Sequence, residues 1–349
     1  MTCISCGGRT APWTYMPMDP IRDIENPYKD FVICTECGLG AMSPMPRADE
    51  VAAFYQGTSY YTHGQSHIKN ASPTLFHRAL LHAAWRVDNG QILDVERMAR
   101  ELPSGASVCD LGCGSGTTLG RFKALGFNAV GVEPDPIARL EAAKAGIIAL
   151  DGTCEELPAE LEEQSFDLVI ISHVLEHCRD PILALEKAFS LTRPGGMLFC
   201  EVPNCAATNF QSLGVCSAMF DAPRHLHFFT PGALRKAVSR GGFVFTGFQY
   251  AGFTRHHDPG WRQWEASIYD RTRKYTRHPK GRRHTTLRSI QLLLATAFAR
   301  DEKKYDCVAA WGRRPASPTG ARASAQARHL PQQADFRPED HLFSPGLHL

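Results

Sequence analysis

The residues from Val108 to Gly116, read as V-C-D-L-G-C-G-S-G, carry the most specific chemistry in this chain. Gly112, Gly114 and Gly116 follow a short apolar β-type run (107–111). They precede apolar Leu119, Phe122 and Leu125 at helical spacing. Strand, glycine loop and helix bring a nucleotide-like ligand against a helix N-terminus, because glycine lets the backbone turn sharply and approach closely. A second apolar run, 128–132, ends on Glu133, followed by Pro134. A carboxylate at that strand tip can accept hydrogen bonds from both hydroxyls of a ribose. A dinucleotide site requires G-x-G-x-x-G. Here Thr117 stands three after Gly114 and Leu119 three after Gly116, so that spacing fails in either register.

Two further groups of residues could do chemistry. Cys3-x-x-Cys6 and Cys34-x-x-Cys37 are each followed by glycine, and four thiolates at this spacing make a closed, structural Zn2+ site. So small a segment gains its folding energy from the metal. The second group is histidine. An apolar run, 166–171, ends in Ser172-His173-Val-Leu-Glu-His177, where open α/β sheets bind ligands. Further on, Asp221 to Thr230 reads D-A-P-R-H-L-H-F-F-T. An imidazole can take a proton at neutral pH, so His225 and His227 are the leading candidates for a general base, with His177 behind them. Tyr60, Tyr61 and His63 are read either as the edge of a ligand pocket, with Tyr61 a lesser catalytic candidate, or as a surface loop.

The elements that must position these groups alternate. Strands at 107–111, 128–132 and 147–150 enclose helices at 117–125 and 135–144. Then follow the strand 166–171, a helix, and the strand 197–202. Thr230 caps a helix over 231–241 with Pro231 at its first position. Strands at 242–250 and 305–311 close the pattern. The domains expected are a zinc-binding module (1–45), a helical cap or linker (46–105), a ligand-binding domain (106–312) and a disordered tail (313–349) rich in Pro, Ala, Arg, Ser and Gln.

Taken together, Asp110-x-Gly-x-Gly-x-Gly, F-D-L-V (166–169) leading to V-L-E-H (174–177), R-D-P (179–181) and R-P-G-G (193–196) resemble class I S-adenosylmethionine-dependent methyltransferases. The type resembled acts on small molecules and carries an N-terminal four-cysteine segment; it includes ubiquinone-type O-methyltransferases and sugar or natural-product enzymes. The resemblance implies an α/β, doubly wound, seven-stranded, mostly parallel sheet in the order 3-2-1-4-5-7-6 with strand 7 antiparallel. It implies S-adenosyl-L-methionine as cofactor. Asp110 and the loop residues Gly112, Cys113, Gly114 and Gly116 then lie at its methionine end, Glu133 and Pro134 at the ribose, and Ser172 and His173 at the end of the fourth strand. Relatives read G-D-x-E-E-L-P where this chain reads G-T-C-E-E-L-P (152–158), so the adenine contact falls to backbone amides, Thr153 or Cys154, with Asp151 two residues early. The motif [DN]-P-P-[YF] is absent after the fourth strand, which argues against methylation of adenine or glutamine nitrogens.

The implied reaction is methyl transfer to an oxygen or carbon nucleophile of a small molecule. The alternatives are an RNA methyltransferase with a zinc knuckle and a cofactor-binding subunit without chemistry. A net charge of +2 does not separate them. The zinc segment, with Arg9, Arg22 and Lys29 against Asp19, Asp23, Glu25 and Asp30, makes nucleic acid the weaker partner. The cysteine placement, the lack of a signal-peptide pattern and the lack of a long apolar run lead to the expectation of a cytoplasmic protein. The stretch 251–304 is an insertion, aromatic and then basic. Arg271 to Arg288 holds eight Lys or Arg and no acid, and an apolar helix follows at 289–299. Residues 271–299 are open to three readings: contact with an anionic membrane surface, contact with a phosphorylated substrate or RNA, or a solvated loop. The acceptor and the oligomeric state are not specified by the sequence.

Overall fold

The computed structural model describes residues 2–55, 68, 73–91, 93–161 and 164–316. Tyr60, Tyr61, His63 and the tail from 317 onward lie outside them. In chain order the N-terminal segment forms β1 (Thr10–Tyr15), β2 (Met18–Asp19), β3 (Ile24–Glu25), β4 (Asp30–Cys34) and β5 (Gly40–Met42). The helices α1 (Ala48–Ala53), α2 (Leu75–Arg86) and α3 (Val95–Glu101) follow. The alternating region comprises β6 (Ser107–Leu111), α4 (Thr117–Ala124), β7 (Asn128–Val132), α5 (Pro136–Lys144), β8 (Ile148–Leu150), β9 (Phe166–Ser172), α6 (Pro181–Leu191) and β10 (Thr192–Pro203). After it come α7 (Thr208–Leu213), β11 (His227–Phe228), α8 (Pro231–Arg240), β12 (Val244–Ala251), α9 (Pro259–Tyr275), α10 (Thr286–Thr296), α11 (Asp301–Lys304) and β13 (Cys307–Arg313).

The main sheet has the order β12-β13-β10-β9-β6-β7-β8. In strand count this is 6-7-5-4-1-2-3, and β13 runs antiparallel to both neighbours, as the resemblance implies. The central strand β9 is buried along nearly its whole length, which explains its unbroken apolar run. Helices α5, α6, α8 and α9 all begin with an Asp or Thr cap whose side chain accepts a backbone N–H, followed by proline. Proline costs nothing there because its missing N–H would have no partner in the first turn.

A second sheet has the order β1-β4-β5-β11. Its last strand comes from nearly two hundred residues downstream, pairing His227 with Ala41 and Phe228 with Gly40. The segment that carries His225 and His227 is thus partly a strand that ties the cysteine-bearing module to the main domain. Phe228 stacks on Phe220 with ring centroids 4.5 Å apart, and Phe31 and Trp13 pack edge-on against these rings. Beneath them, the fully buried Arg224 pairs with Asp19 (2.9 Å) and Asp221 (2.7 Å). Residues 1–315 therefore form one unit.

The insertion 251–304 holds the helices α9 and α10, and between them the basic stretch runs through a connection, 276–285, in which Arg277, Lys280, Arg282 and Arg283 are exposed. Four of the eight basic residues from Arg271 to Arg288 have these partners: Arg271 donates to the Pro20 carbonyl, Lys274 pairs with Asp23, Arg283 with Asp270, and Arg288 donates to Ser212 Oγ. Between α9 and α10, Ser289, His284 and Glu265 form a hydrogen-bonded chain at 2.8 and 2.5 Å. All three are fully enclosed, so this chain ties two helices and meets no substrate. Among the described residues no helix is long and apolar enough to cross a membrane. The last strand extends into the stretch expected to be tail, and Arg314 caps the carbonyls of Phe189 and Thr192.

Candidate cofactor and acceptor site

The glycine loop lies at the carboxyl end of β6. Gly112, Gly114 and Gly116 have φ of +87°, +54° and +76°, all in the left-handed region. A Cβ on Gly112 would fall 2.3 Å from Val174 Cγ2, so this position is also closed by packing. Gly112 and Cys113 both donate to the Val132 carbonyl, which clamps the loop to the tip of β7. Cys113 is buried against Gly131, and burial pushes its thiol up.

Glu133 is held in place by two amides. Its Oε2 accepts from Gly114 N and its Oε1 from Asp135 N, both at 2.9 Å. Each oxygen keeps a lone pair for a hydroxyl. Burial raises the Glu133 carboxyl above its ordinary value despite these bonds. Asp110 is buried beside it, and burial together with the Glu133 charge pushes its carboxyl up to about 7. Two acids so placed, one against the other, favour a cationic ligand group. Arg139 joins this end to the next loop, donating to the carbonyls of Glu133 and Pro134 and pairing with Asp151 at 2.8 Å. Thr153 Oγ1 accepts from the amides of Glu155 and Glu156, so its hydroxyl holds the turn. Cys154 is buried, with its thiol directed at the Leu111 carbonyl 3.8 Å away. Side chains at 153 and 154 thus build the loop, and its exposed backbone is what remains for a ligand.

On the other side of β9 the histidines gather around one carboxylate. His173 has φ +55°, which turns its ring away from the strand. Its Nδ1 lies 3.4 Å from Glu176 Oε1, its Nε2 is 3.7 Å from Cys307 Sγ, and its side chain is 32% exposed. Burial opposes its charge, but Cys307, Glu176 and Glu201 outweigh that, and its pKa stands above the ordinary imidazole value. Ser172 donates to Glu201 Oε2 at 2.8 Å. Glu176 is 1% exposed, and neither of its oxygens has a hydrogen bond. Burial raises its carboxyl, and His173, His177 and His225 more than reverse this.

His177 Nδ1 is 2.8 Å from the Tyr55 hydroxyl and 3.0 Å from the Arg224 carbonyl, and its Nε2 is 4.0 Å from Glu176. Burial and the neighbouring His225 lower it to about 4. His225 Nδ1 lies 3.0 Å from the Met219 carbonyl, its Nε2 3.9 Å from Glu176, and its ring 4.7 Å from that of His177. A carbonyl only accepts, so in its neutral form each ring carries its proton on Nδ1, and each Nε2 lies within 4.0 Å of Glu176. His227 does not join them. It is enclosed within the second sheet, its Nδ1 is 3.0 Å from the Cys178 carbonyl, and burial lowers it to about 4. Tyr55, Glu176, Glu201, Cys307 and Arg255 were missed from sequence. Glu201, an acid at the carboxyl end of the fifth strand, and Glu176, inside V-L-E-H, had a local signal; the others arrive through long-range contacts.

The cysteines converge as their spacing predicts. The sulfurs of Cys3, Cys6, Cys34 and Cys37 lie within 4.8 Å of one another, with pairs at 3.6 and 3.5 Å, and none is in a disulfide. Amides of Gly8 and Glu36 point at Cys6 and Cys34 sulfurs, both at 3.4 Å, as thiolates require. This donor set fits a tetrahedral zinc ion. Thr230, the cap of α8, donates to the Cys37 carbonyl at 2.7 Å and joins the knuckle to the main domain.

The Methyltransferase domain family matches residues 87–246. The ubiquinone biosynthesis O-methyltransferase of Ruegeria pomeroyi is 34% identical over 161 residues, covering 41% of this chain and 64% of that protein. That of Azorhizobium caulinodans is 32% identical over 186 residues, covering 47% and 72%. That of Nitrobacter winogradskyi is 30% identical over 164 residues, covering 43% and 62%. The chain thus spans just under two thirds of the length of the first and third of these relatives. The glycine loop, the acid at the tip of β7, the sheet order and these matches lead to one conclusion: this chain belongs to the class I S-adenosylmethionine-dependent methyltransferases.

Proposed function

We propose that the protein transfers the methyl group of S-adenosylmethionine to a hydroxyl oxygen of a small molecule. The observation that carries this reading is the juxtaposition at the carboxyl edge of β9. A cofactor loop with two buried acids stands on one side, and two imidazoles beside a buried carboxylate stand on the other. The likeness to ubiquinone biosynthesis O-methyltransferases supports oxygen as the acceptor atom and a quinone-type small molecule as its class.

The cofactor supplies an activated methyl donor, so the chain has to align an in-line displacement and exclude water. Gly112, Gly114 and Gly116 shape the wall against the methionine end, Asp110 attracts its ammonium group, and Glu133 accepts from the ribose hydroxyls. The acceptor hydroxyl gives its proton to Nε2 of His177 or His225. Glu176, within 4.0 Å of both, stabilises the imidazolium as it forms. Tyr55 holds the His177 ring. The zinc ion assigned to Cys3, Cys6, Cys34 and Cys37 has no part in the reaction; it braces the sheet that β11 enters.

The test is single-turnover transfer from labelled S-adenosylmethionine to a panel of catechols and hydroquinones, with His177→Gln and His225→Gln measured separately. At least one variant should lower the rate without changing affinity for S-adenosylhomocysteine. Unchanged rates in both would remove the pair from the mechanism. Label recovered on RNA and not on small molecules would overturn the acceptor class.

A further inference from the structure

Three arginines of the domain lie largely out of water, and they are treated differently. Arg224 has Asp19 and Asp221. Arg255 has Asp306, reached by two nitrogens at 2.8 and 2.5 Å. Arg262, on the first turn of α9, is only 8% exposed and has no carboxylate within 4 Å among the described residues. Its one close partner is neutral: Nη2 lies 2.8 Å from Nε2 of His77, on the first turn of α2. Nη1 is buried with no hydrogen-bond partner among the described residues. The nearby Asp258 is spent on capping α9, with Oδ1 accepting from the amides of Gly260 and Trp261.

A buried guanidinium without a counter-charge is costly. Burial accordingly lowers the Arg262 pKa, and burial with the Arg262 charge lowers that of His77. Two independent features add to the same place. The indole N–H of the adjacent Trp261 is also buried without a partner. The guanidinium sits against the amino end of the twelve-residue helix α2, whose positive end favours an anion. Thr74 Oγ1 accepts from the His77 amide and lies 3.1 Å from His77 Nδ1.

Contacts lead from here to the reacting edge. The Arg255 guanidinium lies 5.0 Å from the centre of the Trp261 ring, its Nη2 is 2.8 Å from Cys307 Sγ, and Cys307 is 3.7 Å from His173. We propose that Arg262, with His77, the Trp261 indole N–H and the amino end of α2, is a subsite for an oxyanion of the methyl acceptor, a carboxylate or a phosphate. The oxyanion is remote from the hydroxyl that reacts. It supplies the missing counter-charge and fixes the acceptor's orientation across Trp261. The subsite rests on the small-molecule reading above, and its test separates the two.

Protein saturated with S-adenosylhomocysteine is titrated with inorganic phosphate and, separately, with benzoate, by calorimetry and by Trp fluorescence. Saturable binding is expected for at least one anion, and the stronger one names the group. Arg262→Gln weakens it about tenfold or more, and Arg262→Lys by less, because lysine keeps the charge and loses the fork. His77→Gln provides a second variant that leaves the guanidinium in place and weakens binding modestly. Affinity for S-adenosylhomocysteine is unchanged in all three variants. No saturable binding of either anion, or equal binding by Arg262→Gln, overturns the subsite. In the transfer assay, Arg262→Gln raises KM for a carboxylated catechol and leaves KM for the neutral catechol alone. If no acceptor is methylated but anion binding still depends on Arg262, the reaction fails and the subsite stands.

Discussion

The two halves of the sheet's carboxyl edge are built from different materials. On the cofactor side everything lies between Asp110 and Asp135: three glycines, two buried acids and amides that close on one of those acids. On the acceptor side the groups come from Tyr55, His173 to His177, Glu201, His225, Arg255 and Cys307. Backbone geometry shapes the first half, and side chains converging from distant segments shape the second. The first therefore tolerates distant change and is sensitive to a single Cβ, whereas the second depends on how the N-terminal module and the insertion are held.

The largest effect is expected where the acceptor half is anchored. Arg224→Met leaves Asp221 buried without its cation and Asp19 with Arg22 alone, which costs about 3–5 kcal/mol. The burial of both acids opposes their charge, yet Arg224 holds both carboxyls below their ordinary values. Their stabilising contribution is therefore present above the unfolded carboxylate pKa and is lost as pH falls through the depressed folded values. In the variant that acid-side loss disappears. Thermal unfolding across pH 3–7 checks this. Well below the new melting point, S-adenosylhomocysteine should bind as in the unmodified protein. A parallel fall in cofactor affinity would erase the distinction between the halves.

The cofactor half should break at one atom. Gly112→Ala combines φ +87° with a 2.3 Å approach to Val174, and about a hundredfold loss of cofactor affinity is expected. Gly114→Ala has φ +54° and no protein atom within 4 Å of its Cβ, so its cost to folding is about 1–2 kcal/mol of left-handed strain. Its loss of affinity measures how closely the ligand itself approaches. Calorimetry on both variants, with their melting curves, separates the two origins. Equal and small losses would mean that the loop is not the cofactor wall.

This contrast also explains what could be read from the sequence. The strand 107–111, the acid at 133 and the helix that starts at Pro231 follow from short-range spacing, and spacing is what a single chain displays; the sheet order came with the family resemblance. The Thr230 cap and the cysteine knuckles were legible for the same reason. His227 was misjudged as a base candidate because two residues of alternation cannot reveal that a strand will join a sheet formed nearly two hundred residues earlier. The three readings of the basic stretch from 271 could not be separated in the sequence, because the partners of Arg271, Lys274 and Arg288 belong to other parts of the chain. Thr153 suggests a ligand contact in the sequence, and its hydroxyl oxygen also accepts from two amides of its own turn.

A smaller effect sharpens the electrostatic side of the comparison. Asp110 sits near pH 7 through burial and Glu133, so below that it binds a proton and above it a cation. The ammonium group of the cofactor favours the charged form. Affinity for S-adenosylhomocysteine should therefore rise as pH increases through about 7, by at most tenfold per unit. Binding should also release a proton, visible as a dependence of calorimetric heat on the buffer. Asp110→Asn should flatten both. A pH-independent affinity would place the ammonium elsewhere.

The smallest effect compares two helix caps that are locally alike. Asp94 accepts the Arg97 amide at the start of α3, and Thr230 accepts the Ala233 amide at the start of α8. Replacing either by alanine removes one cap and costs about 1 kcal/mol. Thr230 alone also donates to Cys37, inside the knuckle assigned to zinc. Thr230→Ala should therefore speed the release of zinc to a chelator, while Asp94→Ala, with the same loss of stability, should leave the rate unchanged. Because the two variants match in global stability, a difference in release reports only the bond between α8 and the knuckle. Equal release rates would mean that the cysteine module holds its metal without help from the domain it packs against, and the coupling that distinguishes the acceptor half would then rest on Arg224 and β11 alone.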